Sequence, residues 1–140
     1  GLAGQFTVLP QSDHVGMRLS GVDLDLVVAG EILSRGVPVG AVEITPSGEL
    51  IILLRGRLLT AGYPVVAVLT RSAIDQASQA APGTKISLAV VDMDVAQREL
   101  IEKEETLGKL SLRVAQAFST RGWNHLLSPD HASFSYSLRS

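Results

Sequence analysis

Two groups of residues have types and spacing that suit acid/base or metal chemistry. Asp23 and Asp25 alternate with Val22, Leu24 and Leu26, which puts both carboxylates on one face of a strand. Paired carboxylates bind a cation or move a proton. They also simply solvate the outer face of a sheet, and no third ligand lies near them in sequence. His125 and His131, with Asp130 beside the second, have the residue types of a metal site, but they stand in a serine-rich end, SPDHASFSYSLRS, where a surface tail is the plainer reading. Arg18 alternates with Val15, Met17 and Leu19, so a strand there turns its guanidinium away from three apolar side chains. That is also where a solvent-facing strand arginine sits. Other chemistries are excluded. There is no G-x-x-x-x-G-K-[ST], G-x-S-x-G or G-x-G-x-x-G, so this chain holds no nucleotide by a P-loop. No cysteine is present, which removes disulfides, thiolate metal sites and a cysteine nucleophile.

The elements that must position these residues are mainly strands. Residues 39–44 and 50–54 are apolar and rich in β-branched side chains, and Thr45-Pro46-Ser47-Gly48 between them has the composition of a tight turn. They predict a β-hairpin. Residues 65–69 are all apolar, as in a strand buried on both faces, and with the hairpin they predict a three-stranded meander. Strands are also expected over 5–9, 15–19, 21–29 and 85–91, and a short helical turn over 31–34. Residues 72–80 predict a short helix capped by Thr70 or Ser72, with Asp75 suited to its positive end.

A long helix is expected over 93–118. Along it Met93, Leu100, Leu107 and Val114 recur every seven residues, with Ala96, Leu110 and Ala117 at the companion positions and Lys103 and Gly108 as interruptions. Such a stripe is a coiled-coil seam, or one helix packed on the barrel or on a partner subunit. The domain layout expected is therefore 1–92 as the β domain, 93–118 as the helix and 119–140 as a tail, flexible unless Trp123, Phe134 and Tyr136 dock.

Composition narrows the partners. A net charge of -2 with no basic cluster is not the footprint of a nucleic-acid binder. With 46% hydrophobic but only 4% aromatic residues, the core must be aliphatic. No apolar run approaches the roughly 20 residues of a bilayer-spanning helix. The first residues lack the pattern of a signal peptide, so a cytoplasmic location is expected. Because the chain does not begin with Met, its N-terminus reads as a cut, a processed end or a tag remnant.

The order of four motifs carries a resemblance. S-D-x-x-G-x-R-L over 12–19, E-I-L-S-x-G-V over 31–37, G-A-V-x-I-x-P-x-G over 40–48 and T-x-G-Y-P over 60–64 follow one another at characteristic spacing. Together they resemble the C-terminal half of allophanate hydrolase subunit 2, a family that includes the C subunit of 5-oxoprolinase and the carboxyltransferase region of urea carboxylase. The resemblance implies a cyclophilin-like β-barrel with one short helix and a long C-terminal helix. It implies a subunit, or half of one, of an ATP-dependent amide hydrolase or carboxyltransferase complex, with 5-oxoproline ranked ahead of allophanate or urea. A sister subunit is the expected partner. No cofactor is expected on this chain; ATP, and biotin if the complex is a carboxylase, would be held by partner chains.

The same resemblance implies a cleft for a small amide, bordered by the turn at Arg18 and the loop before Gly62-Tyr63-Pro64. In it the Tyr63 hydroxyl and the Gly62 N–H would stabilise an oxyanion and Thr60 would hold an amide. Arg18, Glu43, Gly62 and Pro64 are then the substrate-binding residues and Thr60 and Tyr63 the catalytic ones, with no metal. Gly62-Tyr63-Pro64 is equally a structural turn. Where the family reads D-R-Q-T-T-G-G-Y-P, this chain reads Gly56-Arg57-Leu58-Leu59-Thr60-Ala61-Gly62-Tyr63-Pro64, losing three hydrogen-bonding side chains. The family's usual tyrosine is Met17 and its usual glutamine is Glu43. The greasier cleft points to another substrate, or to a non-catalytic interaction module that keeps the barrel for assembly. A free-standing small-ligand barrel is the third reading.

Overall fold

The computed structural model describes residues 4–21 and 32–123. Its strands are β1 (Gly4–Val8), β2 (Gly16–Ser20), β3 (Arg35–Gly36), β4 (Ala41–Ile44), β5 (Leu50–Leu53), β6 (Thr60–Ala61), β7 (Val65–Val68) and β8 (Lys85–Leu88), and its helices are α1 (Arg71–Ala77) and α2 (Met93–Thr120). Six strands form one antiparallel sheet in the order β7-β4-β5-β2-β1-β8, and β3 and β6 form a two-stranded sheet of their own.

The predicted hairpin is β4–β5. Its turn is closed by Thr45, whose N–H donates to the Glu49 carbonyl at 2.9 Å and whose hydroxyl accepts the Glu49 N–H at 3.0 Å. Gly48 supplies the positive φ of 82° that completes the turn. The predicted meander is not formed. β7 pairs with β4 and not with β5, because β2 already occupies the other edge of β5. The intervening loop carries β6 to its own partner, β3. As an edge strand β7 is only half-buried and Val68 is exposed, which corrects the expectation of burial on both faces. Residues 32–34 have no helical turn and lead straight into β3, the Ile32 N–H donating to the Gly62 carbonyl at 3.0 Å. The predicted 21–29 strand and its carboxylates lie outside the described residues.

Strict alternation sorts the side chains of the central strands. One face carries Met17, Leu19, Val42, Ile44, Leu50 and Ile52, packed with Phe6, Val8 and Ala77 into the main core. The other carries Arg18, Glu43 and a smaller cluster of Val37, Ala41, Ile51 and Leu53. The outermost strands, β7 and β8, line the same apolar cavity of about 540 Å³, together with α1 and the start of α2. A sheet whose two edges face one cavity is curled, and the architecture is a half-barrel of the cyclophilin-like kind, with the short helix and the long C-terminal helix that go with it. Thr70 caps α1 by accepting the Ala73 N–H at 3.2 Å, as the sequence predicts. Asp75 instead pairs with Arg55 at 3.3 Å. Gly40 is required where β4 begins: at φ 84°, an added Cβ would fall 2.7 Å from Ile74 Cδ1.

The chain divides into two units, residues 1–100 and 101–140, and the division falls inside α2. The described part of the second unit is the rest of the helix and its cap. There the Gly122 N–H donates to the Ser119 carbonyl at 3.0 Å and the Trp123 N–H to the Phe118 carbonyl at 2.9 Å, with Gly122 at φ 72°. This is a Schellman cap, and its apolar contact is the edge-on Phe118–Trp123 ring pair, 5.8 Å between centroids. Trp123 therefore docks on the helix that precedes it; Phe134 and Tyr136 lie outside the described residues. Among the described residues no helix is long and apolar enough to cross a membrane.

Ile52 is fully buried at the centre of the sheet, touched from β2 and β4. Replacing it by alanine should cost about 2–5 kcal/mol, read as a lower urea midpoint with an unchanged slope.

Candidate functional site

The face opposite the main core brings several of the sequence-predicted residues together. Arg18 of β2 lies opposite Ile51 of β5, Ile51 opposite Glu43 of β4, and Glu43 opposite Val65 of β7, so the four form one row across the sheet. Arg18 and Glu43 stand two strands apart, roughly 10 Å at the usual strand spacing. Tyr63 and Ala61 pack against the apolar cluster beside that row, half-buried. The β3–β6 pair holds this loop in place. Arg35 lies opposite Ala61 and Gly36 opposite Thr60, while the Val37 N–H donates to the Leu59 carbonyl at 3.1 Å and Arg57 Nε to the Val37 carbonyl at 3.0 Å.

Glu43 is the unusual member of the row. It is 2% exposed, and its Oε1 has no hydrogen-bond partner among the described residues. Burial pushes its carboxyl above the ordinary carboxylate value, and the charge of Arg35 offsets part of that rise. A raised carboxyl keeps its proton closer to neutrality, where it can donate as well as accept a hydrogen bond. Arg18 has a partner already: its Nη1 donates to Glu49 Oε2 at 3.0 Å. The half-exposed pair leaves the other guanidinium N–H groups for an anion. Arg18 is held by Ser12, whose hydroxyl accepts the Arg18 N–H at 2.9 Å. Asp13 accepts the N–H groups of Val15 and Gly16 at 2.8 and 3.0 Å, which holds its carboxyl below the usual range.

The remaining predicted residues have backbone roles. The Pro64 carbonyl accepts the Ile44 N–H at 3.1 Å and the Gly62 carbonyl that of Ile32. A Cβ at Gly62 would lie 3.3 Å from the Ile32 carbonyl oxygen, so close approach explains the glycine. Thr60 is exposed in β6. Glu49 and Arg35 are the residues that sequence reasoning missed. Neither lies in a spacing that marks it; each becomes relevant only through the strand register. No group of three or more His, Asp or Glu among the described residues is placed to hold a metal ion. Asp23, Asp25, His125, Asp130 and His131 lie outside those residues.

Residues 2–90 match the family model of the carboxyltransferase domain, subdomains A and B. The chain belongs to that family. Over 94 residues it is 31% identical to the C subunit of 5-oxoprolinase from Haemophilus influenzae, covering 67% of this chain and 30% of that protein. Over 104 residues it is 26% identical to the C subunit of 5-oxoprolinase from Escherichia coli, covering 74% of this chain and 34% of that protein. The chain thus spans about a third of the length of the curated relatives it matches. The crystal structure of TTHA0988 superposes with a TM-score of 0.55 at 33% identity, over 62% of this chain and 17% of that one. The family match ends just before α2 begins.

The departures from the family motif have visible structural correlates. Leu58 and Leu59 are 76% and 77% exposed. Gly56, where the family motif has Asp, packs on His14: an added Cβ would overlap the His14 ring and lie 2.8 Å from the His14 carbonyl oxygen.

Two outcomes follow from this geometry. Because the Glu43 carboxyl is raised above its unfolded value of 4.5, its contribution is fully favourable below that pH and is lost as pH rises through the folded value. Glu43→Gln should therefore flatten the fall of Tm between pH 4 and 8 and make the protein more stable than wild type at the upper end. Gly56→Asp, which restores the family residue, should cost about 1–3 kcal/mol in urea unfolding, because the backbone of His14 must move.

Proposed function

We propose that this chain is part of a subunit of a multi-subunit complex of the 5-oxoprolinase type, and that the Arg18–Glu43–Tyr63 face binds a small amide, with 5-oxoproline preferred to allophanate or urea. The observation that supports this reading is the placement of Arg18, Glu43 and Tyr63 on one half-dry face of a carboxyltransferase-family half-barrel. Arg18 takes the carboxylate of the substrate, anchored from behind by Glu49. Glu43, held toward its protonated form, hydrogen-bonds the amide. The Tyr63 hydroxyl and the Gly62 N–H donate to the developing oxyanion, Thr60 orients the amide, and Pro64 ties the loop to β4. The sequence contains no P-loop, so ATP, and biotin if the complex carboxylates its substrate, belong on partner chains, beside a sister subunit. A cytoplasmic location fits that assembly.

A second reading has its own support. Leu58 and Leu59 expose two large apolar side chains where the family motif has Gln and Thr, which suits a non-catalytic module that holds a partner through this loop.

The test is 5-oxoproline-dependent ADP release by the full-length subunit, mixed with its sister subunit and the ATP-binding partner. Tyr63→Phe should lower kcat about 10²-fold without dissociating the complex. An intact wild-type complex that is inert toward 5-oxoproline, allophanate and urea would leave the interaction module as the correct account.

A further inference from the structure

α2 is 28 residues long and none of them is buried. Several seam residues are open, Met93 being 80% exposed, Leu107 54% and Leu110 52%, while Ala96 is half-buried and, with Met93 and Glu99, borders the cavity of the half-barrel. We infer that the occupant of this seam is α2 of a second copy of the chain, packed antiparallel.

Three observations carry the inference, none of which depends on the activity proposed above. The seam is symmetric about its own middle. Turned end for end, Met93 meets Ala117 of the second copy, Ala96 meets Val114, Leu100 meets Leu110 and Lys103 meets Leu107, so every layer of the heptad is filled. At the ends of the seam a large residue meets a small one, which lets the two helices approach closely. At the centre the Lys103 stem covers Leu107 while its ammonium reaches past the seam.

The charges favour this orientation, although the two-fold axis also sets Glu104 against Glu104 of the second copy, one repulsive contact beside two attractive ones. Residues 93–105 carry Asp94, Glu99, Glu102, Glu104 and Glu105 against Arg98 and Lys103, whereas 106–121 carry Lys109, Arg113 and Arg121 and no acid. The macrodipole does not account for this separation, because its influence is confined to the first and last turns and Glu104, Glu105 and Lys109 lie mid-helix. In the antiparallel pair Glu99, which flanks the seam, faces Arg113 of the second copy, and the two-fold axis repeats the contact. In a parallel pair Lys103 would face Lys103, and Glu99 would face Glu104. Both are like-charge contacts, so the parallel arrangement is disfavoured.

The seam also lies outside the family match, which stops at residue 90. It is an addition to the half-barrel, available for an assembly of this chain's own.

Sedimentation equilibrium of the full chain should give a dimer at micromolar concentration, twice the 14.8 kDa monomer. Glu99→Arg and Arg113→Glu should each raise the dimer Kd about tenfold or more, since each turns two attractive contacts into repulsive ones. The two variants mixed together should recover the wild-type Kd as a heterodimer, which controls for loss of folding. In this cysteine-free chain, Ala96→Cys combined with Val114→Cys should give interchain disulfides under oxidation, and Ala96→Cys alone should not. A monomer at 100 µM, a dimer indifferent to both charge reversals, or crosslinking by Ala96→Cys alone would each overturn the inference and return the helix to the barrel, to a sister subunit or to a parallel pair.

Discussion

The pairing of β5 with β2 on one side and β4 on the other is the constraint on which the rest of this structure depends. Side chains alternate with a period of two, so a slip of one residue would carry Arg18 and Glu43 into the main core and expel Met17, Val42 and Ile52. Both ends of β5 are pinned. At one end the Thr45 turn ties it to β4; at the other the Leu54 N–H donates to the Val15 carbonyl and the Gly56 N–H to the His14 carbonyl, each at 2.9 Å. The second of these bonds needs the close approach that only glycine permits at position 56.

That register gives the central strands two buried faces of unequal character. The first is wholly apolar. The second is covered by the β3–β6 pair and the loop through Tyr63, and it contains Glu43, a carboxylate with one oxygen unpartnered among the described residues. A buried polar atom without a partner is costly, and it persists where something beyond stability is served. The apolar surroundings that make Glu43 costly also raise its affinity for a proton, so one local environment sets both the cost of its burial and its protonation. Exposed leucines at 58 and 59 make the rim of this face apolar too, which is why a binding reading and an assembly reading attach to the same loop.

The half-barrel leaves β7 and β8 as edges, and α2 carries an apolar seam interrupted at Lys103. These are different kinds of incompleteness. Strand edges offer unpaired backbone groups and accept any extended chain, whereas a helical seam selects by side-chain size and charge order. The family match covers the half-barrel and stops before the helix, so the two lie in differently shared parts of the chain.

Much of the architecture is written in local pattern. The β4–β5 hairpin, the Thr70 cap, the alternation of β2 and the heptads of α2 each follow from residues within a few positions of one another, because turn dihedrals, capping bonds and side-chain periodicity are local properties. The four ordered motifs likewise identify the family from sequence alone. What local pattern does not contain is which strand lies beside which. Apolar residues at 65–69 specify a strand but not its neighbour, and β7 joins β4 because β2 has taken the place beside β5. Glu49 beside Arg18, Arg35 near Glu43 and the closed space at Gly56 are products of that choice. Each joins residues far apart in sequence, and long-range pairing is settled by competition for the same sheet edges and the same core, which only the folded chain resolves.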